Sequence, residues 1–299
     1  MRTLPSIRPG ETIGIMAPAN RVDQAQIDPA IRILESMGYK VKVHPQTYLA
    51  FHSSAGTPQQ KADAFHELWD DAEVKAIMAA RGGNEAGEML ALLDYNKLKN
   101  NPKILVGFSD ITTLINTIAD KSDIVTFHGP VLNRIQSMDQ GQLTQCFRLL
   151  SGHEKNIPLN GCTVEKSGEC EGHLVGGNLS VLCSMLGTGY EPEFQGAVLF
   201  LEDIGDELSR INRFFLQLKL AGVFNKINGL IIGDFSHMTD TGKTLFDRTV
   251  HDMVRHHTTG TSFPQIFDAP FGHENDLVTF PVGATVKLSA KGNPTLTII

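Results

Sequence analysis

The chain has no block of basic residues, no long apolar run and only four cysteines in 299 residues, and each shortage removes a class of protein. A formal net charge of -7 leaves nothing to neutralise phosphates, so neither a nucleic acid nor an anionic membrane surface is an expected partner. No segment is apolar enough to span a bilayer. The opening stretch MRTLPSIRPGETIGIMAPAN is interrupted by Pro5, Pro9 and Glu11 before any apolar core develops, so it does not read as a secretory signal. Cys146, Cys162, Cys170 and Cys183 form no C-x-x-C pair and lie far apart, which suits reduced thiols in a cytoplasm. Cys183, within SVLCSML, reads as a small core residue with nothing nearby to lower its thiol pKa. Internal repeats and low-complexity tracts are also missing.

What is present is a chain with 41% hydrophobic residues, enough for a substantial core and long enough for two ordinary domains. The first half alternates short apolar runs with amphipathic helical patterns: TIGIMAPA, DPAIRILESMG, YKVKVHP, PQQKADAFHELWDDA, VKAIMAA, EAGEMLALLDYNKL, KILVGFS, ITTLINTIA, IVTFHGP and GQLTQCFRLLSG. This alternation predicts an α/β domain over 1–152, a parallel sheet with helices on both faces. In open sheets of this kind the site lies outside the carboxyl ends of the strands. Those ends read APAN, ARGGN, GFSD and FHGP. Between 153 and 171 the periodicity fades into a polar, Gly- and Pro-containing stretch that reads as a linker. The remainder, 172–299, mixes α and β less regularly: HLVGGN, a helix from Leu179 to Leu186, GAVLFLED, LSRINRFFLQLKLAG, NGLIIGDF, a helical TLFDRTVHDMVRHH and a closing hairpin.

The segment KILVGFSDITTL is the best clue to chemistry. An apolar run stops at Phe108, and Ile111, Leu114, Ile115 and Ile118 recur at helical spacing, so Ser109 and Asp110 fall at a strand-to-helix junction. A serine there faces unpaired N–H groups and the positive end of a helix dipole, both suited to an oxyanion. Plain N-capping is the bland alternative. The junction resembles the strand-turn-helix serine of hydrolases, although Ile111 stands where the G-x-S-x-G signature has its last glycine.

A serine nucleophile needs a base, and the base needs an orienting carboxylate. Eleven histidines compete for the first role. His256 and His257 end a helix beside Arg255 and lack metal-ligand spacing, so capping explains them. His128 in IVTFHGP and His273 in IFDAPFGHEN each follow an apolar run in a Gly-containing loop, and residue chemistry alone leaves them even. For the acid, Glu202 ends the strand GAVLFLED and is better placed to orient an imidazole than Asp206 and Glu207, which complement the dipole of the next helix. An ion pair of Glu202 with Arg210 or Arg213 is the competing reading. For an oxyanion hole, the turn Arg81-Gly82-Gly83-Asn84 offers backbone that approaches closely, and Asp110 N–H directly follows the serine.

Taken together, APAN, ARGG, GFSDIT, FHGP, GHLVGGNLSVLCSMLGT, LED with RINRFFLQLKLAG, GLIIGDF and FGH resemble the LD-carboxypeptidases of the serine peptidase type, a family that also contains microcin C immunity peptidases. The resemblance spans nearly the whole chain. It implies a Rossmann-like N-terminal domain with a parallel sheet, a smaller C-terminal β/α domain, a site between them and a homodimer, with no metal or organic cofactor. It further implies Ser109 as nucleophile, Glu202 as orienting acid and His273 as general base, with oxyanion donors from Asp110 and from Gly83 in preference to Gly82. The implied reaction releases D-alanine from the diamino acid of a muropeptide tetrapeptide. Microcin-directed members instead cut a peptide-nucleotide conjugate, and the modest stretch between FHGP and GHLVGG leaves little room for a nucleotide-binding loop. Arg81, with Gly82 beside it, is the candidate to meet the substrate's free carboxylate. Two rivals stand beside this reading: a noncatalytic peptide-binding protein, and a hydrolase using Cys183 or a metal.

Overall fold

In the computed structural model, which describes residues 2–274 and 277–299, the chain divides into two units. The first comprises Met1–Lys155 and Thr279–Ala284, the second Asn156–Val278 and Thr285–Ile299.

The first unit is built on five parallel strands: β1 (Thr12–Met16), β2 (Lys40–Val43), β3 (Val74–Ala79), β4 (Ile104–Gly107) and β5 (Thr126–His128). A sixth strand comes from far along the chain. This is β12 (Phe280–Val282), which runs antiparallel to β5 with Phe280 opposite His128, and the sheet order is β12-β5-β4-β3-β1-β2. β1 and β4 are buried at every residue, as strands covered on both faces must be, which is why their sequences show no alternation. β2 lies at the edge, and its KVKV pattern turns both lysines outward, a guard against edge pairing. Helices Gln24–Ser36, Pro58–Asp70 and Gln140–Leu150 each open with a capping box, from Asp23 and Gln26, Thr57 and Gln60, and Asp139 and Gln142; these boxes satisfy end N–H groups that would otherwise be unpaired. EAGEMLALLDYNKL is not one helix. It divides into a 3-10 turn, Ala86–Leu92, and a helix, Tyr95–Asn100, because the Asp94 side chain caps the latter by accepting the Lys97 N–H at 3.0 Å.

The second unit carries β6 (Asn156–Pro158), β7 (Thr163–Lys166), β8 (Gly168–Asn178), β9 (Val198–Ile204), β10 (Gly229–Ser236), β11 (Gln265–Phe267), β13 (Thr285–Ala290) and β14 (Thr295–Ile298), in the order β6-β14-β13-β8-β9-β10-β11-β7. Strands β8 to β11 are parallel and the outer ones antiparallel. Helices Leu179–Met185, Leu208–Leu220 and Val250–His257 cover this sheet with a core that includes Leu182, Cys183, Leu199, Leu201, Ile211, Phe215, Leu230 and Met253.

Two expectations about the chain's division need correcting. The stretch 153–171 is not a linker: it supplies β6, β7 and the start of β8. β6 and β7 are the two edges of their sheet and are mostly solvent-facing, so their sequences never needed the apolar run by which a strand is recognised. Nor does everything after 172 belong to the second unit, since β12 completes the first sheet. In TLFDRTVHDMVRHH only Val250–His257 is helical, started by the Thr249 and Asp252 capping box.

Candidate active site

In the first unit, β4 ends at Gly107 and a single 3-10 turn, Ser109–Ile111, leads into helix Thr112–Ser122. Ser109 has a φ of +63°, in the left-handed region that costs an L-residue about 1–2 kcal/mol. Its hydroxyl does not cap the helix: the N-cap positions of the turn and the helix are Phe108 and Ile111, without side-chain capping bonds. The capping explanation therefore fails. A strained serine at the end of a buried strand has the geometry of a nucleophile elbow despite Ile111.

The loop after β3 lies against this turn. A Cβ added to Gly82 would stand 3.1 Å from Ser109 Cβ and 3.2 Å from its Oγ, and one added to Gly83 would stand 2.3 Å from Asn20 Oδ1 and 2.7 Å from Asn20 N. Both positions thus need glycine for close approach, Gly82 to the serine and Gly83 to the APAN loop. Asp110 turns its carboxylate inward and is 5% exposed, and its Oδ2 accepts the Ala86 N–H at 2.8 Å. Burial pushes this carboxyl above its ordinary range, opposed by the Ala86 N–H and by the Lys61 ammonium. Arg81 is half-buried and makes no ion pair among the described residues, which leaves its charge available to an anionic group.

In the second unit, Glu202 on β9 is fully buried and its Oε2 lies 2.6 Å from His273 Nδ1. The sequence left His128 and His273 even, and Glu202 sits with His273. Burial pushes the Glu202 carboxyl up, while His273 is the strongest influence drawing it down. The loop carrying His273 is held on β10 by Ala269 N–H donating to Ile232 O at 2.9 Å and Asp234 N–H donating to Phe271 O at 2.8 Å. Gly272, at φ +149°, allows this docking, because a Cβ there would stand 2.6 Å from Asp234 Cβ. Arg210 is not a partner of Glu202; it pairs with Asp206 at 3.3 Å. His128 is fully buried in the first unit with Phe108 edge-on at 6.0 Å between centroids.

Three residues were given no role by the sequence reading. Asn178, at the end of β8, lies opposite Glu202 in the parallel register and donates to Asp203 Oδ1 at 3.0 Å. Asp203 is 2% exposed and also accepts the Ser180 N–H at 2.9 Å. Asn178 and Asp203 thereby tie the end of β8 to the strand that presents Glu202. Lys61 is fully buried, and burial pulls its ammonium below the ordinary lysine value. A signal for Lys61 was present: it shares the apolar stripe of its helix with Phe65 and Leu68, where a lysine is out of place. Among the described residues no group of three or more His, Cys, Asp or Glu side chains is placed to hold a metal ion. Burial pushes the Cys183 thiol up to about 12, the reverse of what a cysteine nucleophile requires.

Comparison with known proteins agrees with the two-part architecture. Residues 13–129 match the LD-carboxypeptidase N-terminal domain and residues 171–288 the LD-carboxypeptidase C-terminal domain. The chain is 31% identical to a probable murein peptide carboxypeptidase of Bacillus subtilis, over 95% of this chain and 90% of that one. It is 27% identical to the murein tetrapeptide carboxypeptidase of Pseudomonas aeruginosa, over 92% of each. Among solved structures, the muramoyltetrapeptide carboxypeptidase of Oxalobacter formigenes superposes with a TM-score of 0.85 at 29% identity, covering 96% of this chain and 98% of that one. An MccF-like protein of Bacillus anthracis gives a TM-score of 0.88 at 25% identity, covering 100% and 99%. Two α/β units matched along their length by peptidases define the class as a peptidase. The chain belongs to the LD-carboxypeptidase family.

Proposed function

We propose that the protein is a serine-type carboxypeptidase that hydrolyses the bond between an L-linked diamino acid and the terminal D-alanine of a muropeptide tetrapeptide. Ser109 is the nucleophile, His273 the general base and Glu202 the group that orients it. The observation that carries this reading is the 2.6 Å bond from His273 Nδ1 to the buried Glu202 carboxylate: it fixes a proton on Nδ1 and leaves Nε2 as the basic nitrogen. His273 Nε2 takes the Ser109 proton, the alkoxide attacks the scissile carbonyl, and the Gly83 and Asp110 N–H groups receive the oxyanion. His273 then protonates the departing D-alanine amine, and water activated by the same nitrogen releases the acyl group. Arg81, beside Gly82, receives the substrate's terminal carboxylate.

Four free cysteines support a reducing, cytoplasmic setting, and among the described residues no helix is long and apolar enough to cross a membrane. A homodimer is the expected assembly. The deciding experiment incubates wild type and Ser109→Ala with an L-Ala-D-Glu-diamino acid-D-Ala tetrapeptide and measures free D-alanine. Release by wild type alone is expected, while release by both or by neither overturns the reading. An L-alanine terminus should not be released.

A further inference from the structure

Lys61 has a side chain with 0% exposure, and lysine is almost never buried to this degree without partners that require it. Its Nζ donates to Ser54 Oγ at 3.0 Å and to the Glu85 carbonyl at 2.9 Å. Each bond leads to one side of Gly83. Ser54 is bridged to Asn20, the residue that packs on Gly83, and its Oγ donates to Ala19 O at 3.3 Å. Glu85 lies two residues beyond Gly83, and the next N–H, that of Ala86, donates to Asp110 at 2.8 Å. The ammonium faces the carboxylates of Glu88, Glu85 and Asp110. One buried cation thus ties the loop after β2, and through Ser54 the loop after β1, to the loop after β3, and through Ala86 to the turn after β4.

We propose that Lys61 is a positioning residue for the oxyanion donors, holding the Gly83 loop by Ser54 and the Glu85 carbonyl and so setting the Gly83 N–H relative to the Asp110 turn. This role rests on the reading of Gly83 and Asp110 as donors. Such donors act on charge that develops only in the transition state, so their misplacement lowers kcat while leaving ground-state binding nearly intact. A lysine that only filled space or stabilised the fold would not separate kcat from KM in this way.

The test uses Lys61→Met and Ser54→Ala, the second keeping the lysine and deleting one of its acceptors. Two readouts are taken on each: D-alanine release from the tetrapeptide, and the rate at which a fluorophosphonate probe labels Ser109, read by peptide mass. For Lys61→Met, kcat should fall by at least ~10-fold, toward the ~10²–10³-fold cost of a lost oxyanion donor, with KM within about three-fold and slower labelling. Ser54→Ala should move both readouts the same way by less. Folded Lys61→Met with wild-type kcat and labelling, or with a change confined to KM, overturns the proposal. If Lys61→Met does not fold, Ser54→Ala decides, and wild-type kcat and labelling in that variant overturn it. A wild type that is labelled at Ser109 but releases no D-alanine refutes the substrate assignment alone, and the labelling rates still decide the role of Lys61. A wild type that releases D-alanine without being labelled leaves kcat and KM of the two variants as the deciding readouts, and one that neither releases D-alanine nor is labelled refutes both.

Discussion

The left-handed backbone at Ser109 allows a stability test that does not depend on any substrate. Ser109→Ala and Ser109→Gly both remove the hydroxyl, and they differ only in the Cβ. At φ +63° a Cβ costs about 1–2 kcal/mol, which glycine escapes. Glycine in turn gives the unfolded chain extra freedom worth about 0.4–1 kcal/mol, which favours alanine. The net expectation is about 1 kcal/mol in favour of Ser109→Gly, or roughly 2–4 °C in melting temperature for a unit of this size. Packing works the other way, since glycine gives up the Cβ that lies close to Gly82, so a higher melting temperature for glycine has no competing cause. Calorimetry on the two variants, both lacking the hydroxyl, gives the comparison. If Ser109→Ala melts at or above Ser109→Gly, the strain is not there, and the argument that the turn is kept for chemistry rather than for folding fails.

The glycine pair should separate by mechanism. Gly82→Ala places a methyl 3.2 Å from Ser109 Oγ and should lower kcat by about 10-fold or more, as small displacements of a reacting group do, whereas Gly83→Ala meets the Asn20 backbone N at 2.7 Å and should lose about 1–3 kcal/mol of stability as well; paired kinetics and melts check both. Glu202 gives a pH test. Its carboxyl is raised above its ordinary value by burial, so in acid, below the pH at which it serves His273 as a carboxylate, the folded state holds a proton that the unfolded state has released. The resulting stabilisation is complete below the unfolded pKa of about 4.5 and is lost as pH rises through the higher folded value. Denaturation of wild type and Glu202→Gln across that range should show wild type losing stability relative to the variant as pH rises. A constant difference, or one of opposite sign, contradicts a carboxyl raised by burial.

Much of this was legible because the chain obeys local rules where it builds the first sheet. β1, β3 and β4 are short apolar runs, and the boxes at Asp23, Thr57 and Asp139 announce their helices. Ser109 was visible as a junction, but not its backbone: Ser and Asp are ordinary N-caps, and only the φ of +63° with no capping bond sets the capping reading aside. Glu202 was visible as a strand end, while residue chemistry alone did not show its partner, because His128 and His273 stand in equally loop-like contexts and 71 residues separate Glu202 from His273; the family resemblance pointed to His273. β6 and β7 passed as a linker because edge strands need no apolar run. β12 was hidden for a different reason: returning a three-residue strand to the first sheet is a property of topology that no local pattern encodes.

The central claim is that Ser109, Glu202 and His273 act as one unit, and a mutant cycle addresses it most directly. The quantity is kcat for D-alanine release by Ser109→Ala, His273→Ala and the double variant, with melting curves to confirm folding. In a working triad either single loss removes nearly all the catalysis, on the order of 10⁴-fold or more, and the second adds almost nothing. Losses that multiply in the double variant, or substantial turnover in folded His273→Ala, would show that the serine does not depend on this histidine.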